Sequence, residues 1–116
     1  MALELTFSKV ITTIVPPTPS TAAHPVTVAI TVPSGCVWKV ESAGVGGTNG
    51  AIYLLKGTLP DPDKIAILAT SIGDDDYAAQ LPYWLEENFA GYLSNESNYQ
   101  GSVSITEYAI TTFTVS

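Results

Sequence analysis

Arginine is absent, histidine and cysteine occur once each, and four lysines are the only cationic side chains in a chain of 116 residues. At a formal net charge of −7 no basic stripe is available to release counterions from a polyanion, which excludes nucleic acid as a partner and disfavours an anionic membrane surface. Charged residues of both signs make up 13% of the chain, against roughly 25% in an average soluble domain. Cys36 alone cannot close an internal disulfide, so stability must come from packing or from partner chains. No run approaches roughly eighteen consecutive apolar residues, and membrane insertion is not expected. The opening residues Met1 to Thr6 lack the basic start and apolar stretch of a secretion signal, so synthesis in a cytoplasm is the expectation.

What the chain does contain is apolar residues, at 46%. Its length suits one domain that buries roughly two-thirds of its unfolded surface. The apolar pattern has period two almost throughout, rich in valine, isoleucine, threonine and tyrosine and punctuated by glycine or proline. It predicts about eight strands: Leu3–Val15, Val26–Val32, Cys36–Val45, Ala51–Lys56, Ile65–Thr70, Leu81–Leu85, Phe89–Ser94 and Val103–Val115. No segment longer than Asp75 to Gln80 reads as helix. Eight short antiparallel strands predict an all-β, two-sheet antiparallel sandwich, jelly-roll-like in its strand number. Residues 1–15 form an N-terminal strand, 16–25 a proline-rich spacer and 26–116 the sandwich body.

Strand faces carry the next inference. Val26, Val28, Ile30 and Val32 alternate with polar or small residues, as do Cys36, Trp38 and Val40 with Lys39 and Glu41. Two strands do not alternate: Ile52 and Leu54 oppose Ala51, Tyr53 and Leu55, while Ala66 and Leu68 oppose Ile65, Ile67 and Ala69. Both faces of these strands are expected to be dry, and a second copy of the chain is the simplest cover. A homo-oligomer is therefore expected, with Ile52, Leu54, Ala66 and Leu68 at its interface. On that last strand Glu107 shares a face with Val103 and Ile105, where an unpaired carboxylate costs several kcal/mol. A β-bulge near Glu107 is the expected relief, with a buried carboxylate as the alternative. The first strand slips in phase as well: Leu3, Leu5 and Phe7 share a face, and after Lys9 the apolar positions move to Val10 and Ile14.

Candidates for chemistry are sparse. His24, the single histidine, has no nucleophile motif beside it, so no catalytic residue and no enzymatic activity are expected. No cofactor is expected either. Cys36 reads as a small core residue, without the further ligands zinc needs. Asp74, Asp75 and Asp76 with Asp61 and Asp63 are weak candidates for calcium, but Ala79 and Leu85 stand where a calcium loop needs glycine and glutamate. Glu86 and Glu87 are adjacent on an extended segment and so face apart, which spoils a paired-carboxylate site. Asn95-Glu96-Ser97 matches a glycosylation acceptor that reads as idle without secretion. Tyr83, Trp84, Tyr92 and Tyr99 are candidates for ligand contact by stacking on a sugar.

The segments Thr31–Ser42 (TVPSGCVWKVES), Leu81–Glu86 (LPYWLE) and Gly101–Tyr108 (GSVSITEY) resemble strand-and-turn signatures of small β-sandwich virion proteins of tailed bacteriophages, found in head-fibre, decoration and tail-fibre domains. The resemblance covers most of residues 26–110 and leaves the chain before Val26 unmatched. It implies a jelly roll, usually a trimer with one sheet packed around the threefold axis, which places the outer stripe of the last strand, Thr106, Tyr108 and Ile110, at the interface; displayed on a virion, such a protein contacts other virion proteins and is available for contact with a host-surface glycan through loops around Gly73–Tyr77 and Asn95–Gln100. The alternative reading is a carbohydrate-binding, lectin-like adhesin module.

Overall fold

A computed structural model describes residues 2–19, 24–46, 50–59, 62–70 and 81–113. Eight strands follow one another without a helix among the described residues: β1 (Ala2–Val15), β2 (Val26–Thr31), β3 (Cys36–Val45), β4 (Ala51–Lys56), β5 (Asp63–Thr70), β6 (Tyr83–Leu85), β7 (Ala90–Asn95) and β8 (Gly101–Phe113). The predicted end of β8 at Val115 and the short helical candidate lie outside the described residues. Two four-stranded sheets result, β1-β8-β3-β6 and β2-β7-β4-β5.

The chain forms antiparallel pairs of first with last, second with seventh, third with sixth and fourth with fifth. It is thus a folded-over ribbon that rolls up when β8 also pairs with β3 and β7 with β4. This is the jelly-roll sandwich expected of eight antiparallel strands.

Turn chemistry places the first corner. Pro33-Ser34-Gly35-Cys36 closes with Cys36 N donating to the Pro33 carbonyl at 3.2 Å, and Gly35 takes the positive φ of 82° that a type II turn requires at its third residue. Between the sheets lie Ile30, Val32, Trp38, Val40, Ile52, Leu54, Ala66, Leu68, Leu85, Leu93, Val103 and Ile105, all buried. The faces read from Val26–Val32 and from Cys36–Val40 point as the alternation predicts.

Where alternation fails, bulges explain it. In β1 the register passes from Phe7 opposite Tyr108 to Lys9 opposite Glu107, leaving Ser8 as an extra residue. That bulge keeps Leu5 and Phe7, and then Val10 and Ile14, on the same outer face, which is the phase slip visible in the sequence. In β5 two register breaks, at Leu68 and at Ile65, let Ala66, Leu68 and Ala69 all reach the core. Ile52, Leu54, Ala66 and Leu68 are therefore not interface residues. They are buried by their own chain: Ile52 and Leu54 form the core face of the unbulged β4, and the β5 bulges bring Ala66 and Leu68 to the same core. The other face of β4 is covered from within too. Leu55 floors a hollow of about 300 Å³ walled by His24, Pro25, Thr27, Pro62, Lys64 and Glu96. Lys64 lies 4.0 Å over the Tyr53 ring and pairs with Glu96 at 2.7 Å.

A second correction concerns Glu107. No residue of β8 is extruded; the bulge relieving the register lies on the partner strand β1. Glu107 stays on the core face at 5% exposure, so the alternative reading of a buried carboxylate is the one realised.

The described part of the spacer is anchored at Thr18. The Thr18 hydroxyl donates to the Asn95 carbonyl and accepts from Val26 N at 2.7 Å, while Thr18 N donates to the Ser97 carbonyl at 2.8 Å. The fully buried Asn95 side chain donates to the carbonyls of Val15 and Tyr99 and accepts from Ser97 N, tying β1, the spacer and the β7–β8 loop together. That burial removes Asn95 from the surface, which closes the glycosylation acceptor.

The long β1–β8 pair gives the molecule its length. β3 pairs with β8 only as far as Ala109, with one further bond from Ile110 N to the Gly35 carbonyl. Beyond that, Ala2–Leu5 and Ile110–Phe113 continue as a two-stranded ribbon, roughly 13 Å long at about 3.3 Å per residue. The extents are 60 × 28 × 22 Å and the radius of gyration 15.7 Å, against roughly 13 Å for a compact chain of this length.

Candidate functional site

The outer face of the β1-β8-β3-β6 sheet concentrates apolar surface that the chain leaves uncovered. β1 has Leu5, Phe7, Val10 and Ile14 at 46%, 61%, 59% and 48% exposure, and β6 adds Trp84 at 50%. Tyr108, flanked by Phe7 on β1 and Val37 on β3, is half-buried, as is Ile110. An apolar row of Phe7, Tyr108, Val37 and Trp84 thus crosses all four strands. Single exposed apolar side chains are ordinary on protein surfaces, but five on one face of one sheet are a contiguous patch of the kind that marks interaction sites.

The row has a polar flank. Lys39, paired with both Thr106 and Trp84, binds Glu41 at 3.3 Å, and the Thr106 hydroxyl donates to Glu41 at 3.2 Å. Thr106 is buried beneath this cluster. The Trp84 ring lies 5.7 Å from that of Tyr108, tilted by 33°, with the Lys39 ammonium 5.5 Å from its centre. Of the residues expected at an interface, Thr106, Tyr108 and Ile110 are brought together on this face, while the four on β4 and β5 lie in the core.

Behind the row, on the core side of the same sheet, sits Glu107. Its Oε1 accepts from Trp38 Nε1 at 3.0 Å and its Oε2 from the Ser8 hydroxyl at 3.0 Å. The Trp38 hydrogen bond holds the carboxyl below the usual glutamate range, burial opposes it, and Ser8 and the Lys9 ammonium reinforce the lowering. Ser8 is the extra residue of the β1 bulge, so the bulge supplies the hydroxyl that makes a buried carboxylate tolerable. The phase slips at Lys9 and Glu107 in the sequence, on strands now seen to be partners, were the signal for this arrangement.

The four aromatic candidates for ligand stacking do not converge. Tyr83 packs against the core, Trp84 is on the outer face just described, Tyr92 alternates with core Leu93 and so lies on the outside of the other sheet, and Tyr99 is an exposed residue of the β7–β8 loop. Of the acidic candidates, Asp61, Asp74, Asp75 and Asp76 lie outside the described residues together with the Gly73–Tyr77 loop, and Asp63 is an exposed residue opening β5. Among the described residues no three His, Cys, Asp or Glu side chains gather as a metal site. His24 is exposed on the rim of the hollow over Leu55, and Glu87 accepts from Gly35 N at 2.8 Å, a turn contact. No helix of the described residues is long and apolar enough to cross a membrane.

A second concavity of about 370 Å³ opens where the edge strands β6 and β5 meet, lined by Val37, Ile65, Tyr83, Trp84, Leu85 and Phe89, with Lys56 and Glu86 also on its wall. No known protein family, curated protein or solved structure matches the chain.

Proposed function

We propose that the chain is a non-enzymatic structural subunit that works by self-association, assembling as a trimer through the outer face of the β1-β8-β3-β6 sheet. The observation carrying this reading is the exposure on that face of Leu5, Phe7, Val10 and Ile14 along β1 and of Trp84 on β6. Burying such side chains is worth about 1.5–3 kcal/mol each, so a face holding five of them is costly to leave wet. The virion setting, as capsid decoration, head fibre or tail fibre with loops turned to the host surface, rests on the likeness of the Thr31–Ser42, Leu81–Glu86 and Gly101–Tyr108 segments to phage sandwich proteins. The jelly-roll topology is compatible with it.

The competing reading, a sugar-binding module, draws on the exposed Trp84. Tyr108 and Lys39 already stand against its ring, and the remaining aromatic candidates point elsewhere, so self-association is preferred. Native mass measurement with sedimentation at dilute concentration tests the proposal. A trimer is expected, and Tyr108→Asp, which places a charge in the centre of the row, is expected to give monomers that keep the β-sheet circular dichroism. A wild-type chain that stays monomeric at tens of micromolar, or a Tyr108→Asp oligomer of unchanged mass, refutes it.

A further inference from the structure

One side of the β1 backbone is unpaired. β1 is an edge of its sheet, and no proline interrupts its Ala2–Val15 span. Ile110 N donates to the Gly35 carbonyl on the β3 side of β8, so Ala109 and Thr111 turn their backbone groups the other way, towards β1. Opposite them, Thr6 and Glu4 turn theirs towards β8, and the Thr111 hydroxyl donates to the Glu4 carbonyl at 3.1 Å. Leu5 and Phe7, out of step by one, therefore point N–H and C=O out of the sheet edge. A row of this kind accepts a further strand.

The charges of β1 select the strand. Glu4 opposes Thr111 and Lys9 opposes Glu107, with Ser8 extruded between Phe7 and Lys9. No register shift interrupts β8 between Glu107 and Thr111, so these two share a face, and Glu4 and Lys9 share it with them. Both are exposed, and neither forms an ion pair with another described residue. Along the ladder, with Ser8 passed over, Glu4 and Lys9 lie equally far to either side of Thr6, and Leu5 and Phe7 do the same on the other face. We propose that β1 pairs with β1 of a second copy, antiparallel about a twofold axis at Thr6, so that two four-stranded sheets become one. Glu4 then faces the partner's Lys9, Thr6 faces its own copy, and Leu5 exchanges hydrogen bonds with the partner's Phe7, the positions whose backbone groups point outward. No other edge offers this match: β2 and β6 carry no charge, and on β5 the adjacent Asp63 and Lys64 face apart. The contact uses the strand edge rather than the outer face, so it goes beyond the trimer reading and does not depend on it. Its ladder is short, and it forms at higher concentration than the face contact.

Amide hydrogen exchange across a concentration series tests the contact. In concentrated protein the Leu5 and Phe7 amides are expected to exchange about tenfold or more slower than in dilute protein, both in the wild type and in Tyr108→Asp, which breaks only the face contact. Glu4 is exposed, so Glu4→Lys is expected to fold normally, to set like charges opposite each other twice, and to raise the concentration needed for this slowing roughly tenfold. Cross-linking reads the register. In a Cys36→Ser background, Thr6→Cys is expected to give a covalent dimer on mild oxidation, because opposed positions of this kind hold their Cα atoms about 4.5 Å apart, within disulfide reach. Glu4→Cys, which faces Lys9 instead, is expected to cross-link at least about tenfold more slowly. Leu5 and Phe7 amides that exchange equally fast at every concentration overturn the proposal, as does Glu4→Cys cross-linking as readily as Thr6→Cys. Trimers whose Leu5 and Phe7 amides stay fast overturn the edge contact alone, whereas slowed amides and Thr6→Cys dimers in a chain that never forms trimers uphold it and refute the trimer.

Discussion

Replacing Trp38 by Phe removes the indole N–H that donates to Glu107 at 3.0 Å while keeping an aromatic ring in the core. A hydrogen bond to a charged group contributes about 1.5–3 kcal/mol, and the carboxylate left behind is 5% exposed, so water replaces the donor poorly. The smaller ring adds a packing loss of about 1–2 kcal/mol. At about 4 °C per kcal/mol for a domain of this size, the hydrogen bond alone accounts for about 6–12 °C in Tm. The two parts separate by pH. The folded Glu107 carboxyl titrates below its ordinary value of 4.5, so its stabilisation is full above that value and is lost as pH falls through the lower folded one. The wild type is therefore expected to lose its advantage over Trp38→Phe progressively as the pH falls below about 4.5, leaving the packing part. Urea unfolding followed by circular dichroism, at one protein concentration so that assembly contributes equally, reads the difference. In a Glu107→Gln background the Trp38→Phe difference is expected to be flat with pH. A wild-type difference that is flat across the same range refutes the assignment of the Trp38–Glu107 bond as the determinant of that carboxylate's state.

Asn95→Ala is expected to cost about 2–4 kcal/mol, since it removes three hydrogen bonds, two of them buried, and to raise amide hydrogen exchange at Thr18 and Val26 ahead of the core strands. Gly91→Ala drives a methyl group onto the Leu55 carbonyl oxygen and to 2.8 Å from the Phe89 ring; about 1–3 kcal/mol of destabilisation is expected by denaturant titration, and a neutral result contradicts the packing at that crossing. Glycan-array screening with and without chelator is expected to give no specific, chelator-sensitive signal, and such a signal favours the lectin-like reading over self-association.

The two corrections share one cause. Alternation along Ala51–Lys56 and Ile65–Thr70 predicts two dry faces because a regular strand sends neighbouring side chains opposite ways. A bulge suspends that rule, and its position depends on the partner strand rather than on the strand read alone. So Leu68 and Ala69 both turn inward, and the apolar surface left exposed lies instead on the outer face of β1. The same holds for Glu107, whose phase conflict was plain in the sequence but whose solution, Ser8 extruded on a strand ninety-nine positions away, was not.

Local chemistry therefore determined where strands begin and end: glycine and proline set the turns, period-two patterning set the strands, and all eight fall where those signals put them to within a few residues. The expectation against polyanion partners likewise rests only on the charge inventory. Which strands became neighbours, which side of a bulged strand met the core, and which apolar side chains were left facing outward were decided by pairing between distant segments. Those outcomes are differences between whole-chain arrangements, and no window of sequence contains the competing partners among which the fold chooses.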